Sequence, residues 1–179
     1  MRLTPAGLWA FGRVLPCSVG RGGVTSAKCE GDGATPSGTH RIVGLLYRPD
    51  RMAAPAPWAE PIGPGDLWCD DPAHPDYNHA VRAPFAASHE VLRRADPLYD
   101  LILVTDWNWP DARPGAGSAI FLHQWRRTGY PTAGCIAMGR ADLRWLAERA
   151  GPGTRLEVPP ALAGRLPRMS GAGASGGDI

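Results

Sequence analysis

The sequence predicts a mainly β fold, a β-sandwich or mixed β sheet with one or two short helices packed on it. Three observations predict it. The apolar stretches are short, within the range of about four to eight residues expected of buried strands. Loops dense in turn-forming residues separate them, with 23 glycines and 19 prolines in 179 residues. A helical apolar stripe is clear only once, late in the chain, at Leu143, Leu146, Ala147 and Ala150. Short strands bounded by turn signals are the pattern of sandwiches and barrels.

Taken in order, Leu8 to Gly20 reads as short strands around a turn at Gly12-Arg13. Gly20 to Gly38 is a glycine-rich loop. His40 to Tyr47 (HRIVGLLY) is a strand whose continuous apolar character predicts burial on both faces. Arg48 to Pro64 is proline-rich and irregular, and Asp66 to Pro84 is a polar excursion carrying aromatics. Ser88 is placed to N-cap a short helix over His89 to Ala95. Leu101 to Thr105 is a buried strand, Trp107 to Gly117 a loop, and Ser118 to His123 a strand ending in an imidazole. The stripe above defines a helix over Arg140 to Ala150, closed by Gly151. Thr154 to Val158 is the last strand. From Pro159 to Ile179 the composition turns to Pro, Gly, Ala and Ser, which bury too little apolar surface to offset ordering entropy, so 159–179 is expected to be a flexible tail beyond a single domain at 1–158.

Composition narrows the function classes. Net charge is +2 with no basic stripe, which argues against nucleic acid as a partner. No apolar run approaches the ~18–20 residues of a transmembrane segment. Near the N-terminus Pro5, Gly7, Gly12 and Arg13 interrupt any signal-like run. Pro16 directly before Cys17 fits a lipoprotein cleavage site poorly, so no export signal is read there. Cys17, Cys29, Cys69 and Cys135 form no CxxC pair, and their spacing leaves pairing among the first three open. Asp70, Asp71, His74, Asp76 and His79 hold metal-ligand types, but Pro72 and Pro75 exclude helical ligand spacing. A solvated loop is expected there, with no metal and no cofactor. Asp32-Gly33-Ala34-Thr35-Pro36 lacks the GK[ST] ending of a phosphate loop.

The chemistry concentrates between Ser118 and Met138. A strand delivers His123; a turn-rich insert follows; then Thr132-Ala133-Gly134-Cys135 enters the apolar Ile136 to Met138. Such an order places a thiol and a base at neighbouring strand ends, where the imidazole takes the thiol proton and a histidine-paired thiolate forms well below the free value of about 8.5. Gly134 permits close backbone approach, and the amides of Gly134 and Cys135 are candidate oxyanion donors. The reading is a cysteine-nucleophile acyl-transfer enzyme with His123 as general base and acid. Tyr77 and Asn78 either line the substrate groove, add an oxyanion donor, or pack the excursion against the sheet. Trp107 and Trp109 are expected to pack, while Trp125, and Thr132 beside the Gly-Cys pair, are placed for substrate binding.

His123, a loop, then Thr132-Ala133-Gly134-Cys135-Ile136, together with Thr35-Pro36-Ser37-Gly38-Thr39-His40-Arg41-Ile42 upstream, resembles the signature of the L,D-transpeptidase catalytic domain, the YkuD family. The resemblance spans roughly Leu8 to Val158. It implies a β-sandwich with a helix packed on it, and a thioester on Cys135. It also implies an imidazole oriented by the backbone carbonyl of Gln124, and peptidoglycan stem peptides as substrate with carbapenem-type β-lactams as inhibitors. It places the substrate in the bacterial envelope. Three departures stand out: Gln124 follows the histidine where a small residue is usual, the intervening loop is slightly short, and Ala137 stands where arginine or asparagine is common. Hydrolysis by the same thiol (an L,D-carboxypeptidase or another cysteine hydrolase) and a non-catalytic peptidoglycan-binding sandwich are the rival readings.

Overall fold

The structure is a computed structural model that describes residues 1–163. The first hairpin comprises β1 (Arg2–Thr4), β2 (Gly7–Ala10) and β3 (Arg13–Leu15), followed after Pro16 by β4 (Cys17–Ser18). β5 (Val24–Thr25) and β6 (Thr35–Pro36) pair across the glycine-rich loop. Then come the long β7 (Gly38–Tyr47), β8 (Glu60–Pro61), β9 (Asp66–Cys69), β10 (Ala80–Arg82) and β11 (His89–Val91). β12 (Leu101–Thr105), β13 (Phe121–Gln124), β14 (Ile136–Met138), α1 (Arg140–Ala147) and β15 (Arg155–Val158) complete the order, with a 3-10 turn at Pro160–Leu162.

One sheet organises the molecule, in the order β3-β2-β1-β15-β7-β12-β13-β14-β4, with β8 beside β7. Its two outer strands, β3 and β4, are consecutive in the chain and separated only by Pro16, so the sheet curls until its edges are neighbours. β13 and β14 run parallel, with Leu122 opposite Ile136 and His123 opposite Ala137.

Alternation along the strands sends side chains into two separate cores. On β12, Leu101 and Leu103 join the main core while Ile102 and Val104 join the second. On β13, Leu122 belongs to the first and Phe121 to the second. The main core also takes Leu143, Leu146 and Ala147 from α1. The second core lies under a small sheet ordered β10-β9-β11 and contains Trp68, Tyr99, Phe121 and Cys135.

Four expectations are corrected. β7 is not buried on both faces: Arg41 and Val43 are exposed while Ile42 and Leu45 are buried in one core. The register against β12 shifts between Val104 and Thr105, so Val43 is an extra residue, and that bulge keeps Ile42 and Leu45 on the same side despite their odd separation. The expected helix over His89 to Ala95 is instead β11, pairing antiparallel with β9, and the Ser88 carbonyl accepts the Asp70 amide (3.2 Å) in continuation of that ladder. A local capping signal lost to sheet pairing. The late helix ends at Ala147 rather than Ala150, although Ala150 stays buried. Finally, the segment after Val158 does not leave the fold at once. Leu162 packs against the main core and Ala163 bridges to Val24; the remainder of the expected tail, 164–179, lies outside the described residues.

All four cysteines are free thiols. Among the described residues no helix is long and apolar enough to cross a membrane, and no group of three His, Cys, Asp or Glu side chains is arranged to hold a metal ion.

Candidate active site

The parallel pairing of β13 and β14 decides which side chains meet. With Leu122 opposite Ile136, Phe121 lies level with Cys135, and His123 projects from the same face as Phe121 one pleat further on. Leu122 and Ile136 point the other way, into the main core. Thiol and imidazole are thus delivered to one side, where both line a cavity of about 110 Å³ together with Glu30, Asp70, Glu90 and Tyr99. Ser118, Ala119 and Gly134 form part of its wall.

The Gly134–Cys135 turn is held from three sides. Thr132 Oγ1 donates to the Cys135 carbonyl (2.6 Å) and accepts the Gly134 amide (3.1 Å). Thr35 Oγ1 donates to the Gly134 carbonyl (2.7 Å), while the Gly20 amide donates to that same hydroxyl (2.9 Å). Thr132 is itself tied to the chain through its amide to the Val19 carbonyl and its carbonyl from the Arg21 amide. Gly134 has φ +144°, and a Cβ there would stand 3.1 Å from the Ala34 carbonyl oxygen and 3.3 Å from Ile120 Cδ1. Glycine is needed for this conformation and for the approach of Ala34.

His123 is fixed at Nδ1, 2.7 Å from the Gln124 carbonyl oxygen. A carbonyl only accepts, so Nδ1 carries the proton and Nε2 keeps the lone pair of a base. The Tyr99 ring meets the imidazole edge-on at 5.2 Å, and the Arg94 guanidinium lies 5.2 Å over the tyrosine. Cys135 Sγ donates to the Ala119 carbonyl (3.1 Å) and accepts the Phe121 amide at 3.4 Å.

Burial sets the resting protonation. It pushes the Cys135 thiol up to about 12, opposed by the Phe121 amide, and pulls the His123 imidazole down to about 4, opposed by its bond to Gln124. At neutral pH the pair is thiol and imidazole, not the thiolate and imidazolium expected from the sequence. Taking both groups out of water penalises each charged form, and in the resting state the sulfur gives its hydrogen to Ala119 rather than to His123.

The acidic lining was not legible in the sequence. Asp70, read there as part of a solvated loop, lines the pocket, and its Oδ1 is buried with no hydrogen-bond partner. Glu90 projects inward from β11; burial raises its carboxyl and the neighbouring Asp70 charge raises it further, while Tyr99 Oη lies at 3.5 Å from Oε2. Glu30 accepts Ser118 Oγ (2.8 Å) and the Tyr77 hydroxyl. Only the inward position of Glu90 on a strand could have been read in advance, and the helix expected there concealed it.

The other sequence-derived candidates are placed elsewhere. Tyr77 and Asn78 are buried behind the pocket wall with their polar atoms engaged inside the protein, and they do not line the pocket. The Gly134 amide is already taken by Thr132, which leaves the Cys135 amide as the backbone oxyanion candidate. Thr132 shapes the turn instead of facing the cavity. Trp125 lies against Gly139 at the entry to α1, away from the pocket lining. Trp107 meets His40 edge-on and donates from Nε1 to the Ala116 carbonyl (3.1 Å), whereas Trp109 is 40% exposed.

A family model described as the L,D-transpeptidase catalytic domain, YkuD, matches residues 10–158. No curated protein and no solved structure matches the chain.

Proposed function

The chain belongs to the L,D-transpeptidase catalytic-domain family, and from that premise we propose that it performs cysteine-mediated acyl transfer on peptidoglycan stem peptides, with Cys135 as nucleophile and His123 as base and then acid. The observation that carries this reading is the tautomer. Nδ1–H is held by the Gln124 carbonyl, so Nε2 is the free nitrogen of an imidazole that lines the same cavity as Cys135.

In the proposed sequence, a peptide carbonyl enters and the thiol hydrogen swings from the Ala119 carbonyl to Nε2 of His123. The sulfur attacks the carbonyl carbon as its proton leaves, so the charge appears on the carbonyl oxygen, near the Cys135 amide, rather than on a standing thiolate. Collapse breaks the C–N bond, and the imidazolium gives its proton to the departing amine of the terminal D-residue. The thioester on Cys135 is then attacked by an acceptor amine that loses its proton to His123, and the thiol is regenerated. The carboxylates of Glu30, Asp70 and Glu90 around the cavity favour substrates that carry a cationic amine.

Incubation with purified muropeptides and mass analysis of the products tests this. Cross-linked dimers that vanish in Cys135→Ala support transfer. Trimmed monomers alone assign the same thiol to a carboxypeptidase, and no product with an unreactive thiol assigns the chain to a binding role. A carbapenem is expected to acylate Cys135, seen as a mass increase absent from the alanine variant.

A further inference from the structure

Tyr77 and Asn78 stand at the end of a long excursion, yet they are among the most deeply buried polar side chains, each 2% exposed. Asn78 has φ +60° and uses its amide fully. Oδ1 accepts Trp68 Nε1 (3.0 Å) and the Ala119 amide (2.9 Å), and Nδ2 donates to the Trp107 carbonyl (2.9 Å) and the Asn108 carbonyl (2.8 Å). Its own amide is anchored on the Cys69 carbonyl of β9 (2.8 Å). Tyr77 Oη accepts the Gly117 amide (3.0 Å) and donates to Glu30, whose carboxylate also takes the Ser118 hydroxyl. Two of these bonds fall on one short segment, at the amides of Gly117 and Ala119, and the others tie the two side chains to β9, to Trp107 and Asn108, and to Glu30.

That segment ends in a strained residue. Ala119 has φ +50°, a left-handed conformation that disfavours any residue with a Cβ and persists only where surrounding bonds impose it. Asn78 takes the Ala119 amide and Tyr77 the Gly117 amide two residues earlier, while Thr105 holds the Ile120 carbonyl on the other side. The same Ala119 turns its carbonyl to Cys135 Sγ at 3.1 Å. We propose that Tyr77 and Asn78 are positioning residues, a clamp that holds the Ala119 peptide in its left-handed turn so that its carbonyl keeps the Cys135 thiol protonated and aimed until substrate displaces it. The proposal rests on Cys135 being the nucleophile, but its test does not require turnover.

The test is alkylation of each cysteine by iodoacetamide across pH, resolved by peptide mass spectrometry, with exposed Cys29 as internal reference. In Asn78→Ala the thiol loses its acceptor, and the Cys135 profile is expected to move roughly one pH unit downward while that of Cys29 stays. Glycine takes a φ near +50° without steric penalty, so adding Ala119→Gly is expected to return the Cys135 profile toward wild type. Tyr77→Phe keeps the ring and removes one hydroxyl; it should move the profile the same way by less, and it carries the test if Asn78→Ala does not fold. Glu30, Glu90, Asp70, Tyr99, His123 and Lys28, the other titratable groups around the thiol, are not substituted in these variants; Tyr77→Phe also takes one donor from Glu30, which keeps that of Ser118, and a less stabilised carboxylate there would not lower the thiol's profile by itself. An unmoved Cys135 profile in Tyr77→Phe with its circular dichroism intact overturns the clamp. So does a double variant that fails to move back. A responsive thiol in a protein that makes no product from muropeptides would instead leave the clamp standing and remove the transpeptidase reading.

Discussion

Leu122 and His123 are adjacent in the chain and lie on opposite faces of the same sheet. Leu122 is fully buried in a core made of aliphatic side chains and α1, where nothing polar needs satisfying. His123 is nearly as buried, but among Tyr99, Cys135 and three carboxylates. The first face is held by apolar area removed from water, the second by hydrogen bonds that each fix one atom. Stability should therefore be concentrated on one side of β13 and reactivity on the other.

The sharpest way to break that division is Cys135→Ala, expected to lower turnover by at least ~1,000-fold while the urea midpoint changes little, as read by product analysis and equilibrium unfolding. His123→Ala should follow closely. Leu122→Ala should do the reverse, with a loss of about 2–5 kcal/mol in unfolding free energy and a site that still alkylates when folded. A large stability loss in the His123 variant would erase the contrast.

The acid limb comes next. His123 is neutral in the folded protein down to about pH 4, whereas an unfolded histidine titrates near 6.5. Between these values the unfolded chain binds more protons, so stability is intact above ~6.5 and falls by roughly 3 kcal/mol as pH drops to about 4. Urea unfolding across that range measures it, and His123→Phe should flatten the slope. Gly134→Ala should cost about 1–3 kcal/mol through its positive φ and the Ala34 contact, and should also displace Cys135. Smallest is Asp70→Asn, which removes the charge from a buried oxygen without a partner. Its stability is expected within about 1 kcal/mol of wild type or above it, and binding of an amine-bearing acceptor should weaken.

The two faces also differ in how well the chain announced them. Aliphatic periodicity gave β12, α1 and β15 close to their observed limits, because burial in the main core depends on little more than which residues are apolar. That a thiol and an imidazole would face each other's side of the sheet was legible too, since Gly-Cys after a turn and a histidine ending a strand are local patterns, and both side chains line one cavity. The rest of the site is not local. Glu90 reaches the pocket only because β11 pairs with β9, and the Ser88 signal argued for a helix instead. Asn78 reads equally as a groove residue or a packing residue until its four partners, from Trp68 to Ala119, are known. The resting charge state likewise follows from burial that no motif encodes.

A chain segment can brace a reaction it never touches. The stretch that ends in β3 bends at Pro16 and continues as β4, whose Cys17 and Ser18 pair with Met138 and Ala137 just after Cys135, and Ser18 Oγ donates to the Tyr130 carbonyl (2.7 Å) in the loop between His123 and Cys135. Clipping the protein ahead of residue 19 would therefore leave Cys135 and His123 in place by sequence but unzip the strand that registers the sulfur, so inactivation by an N-terminal protease should outrun any loss of the helix-backed core.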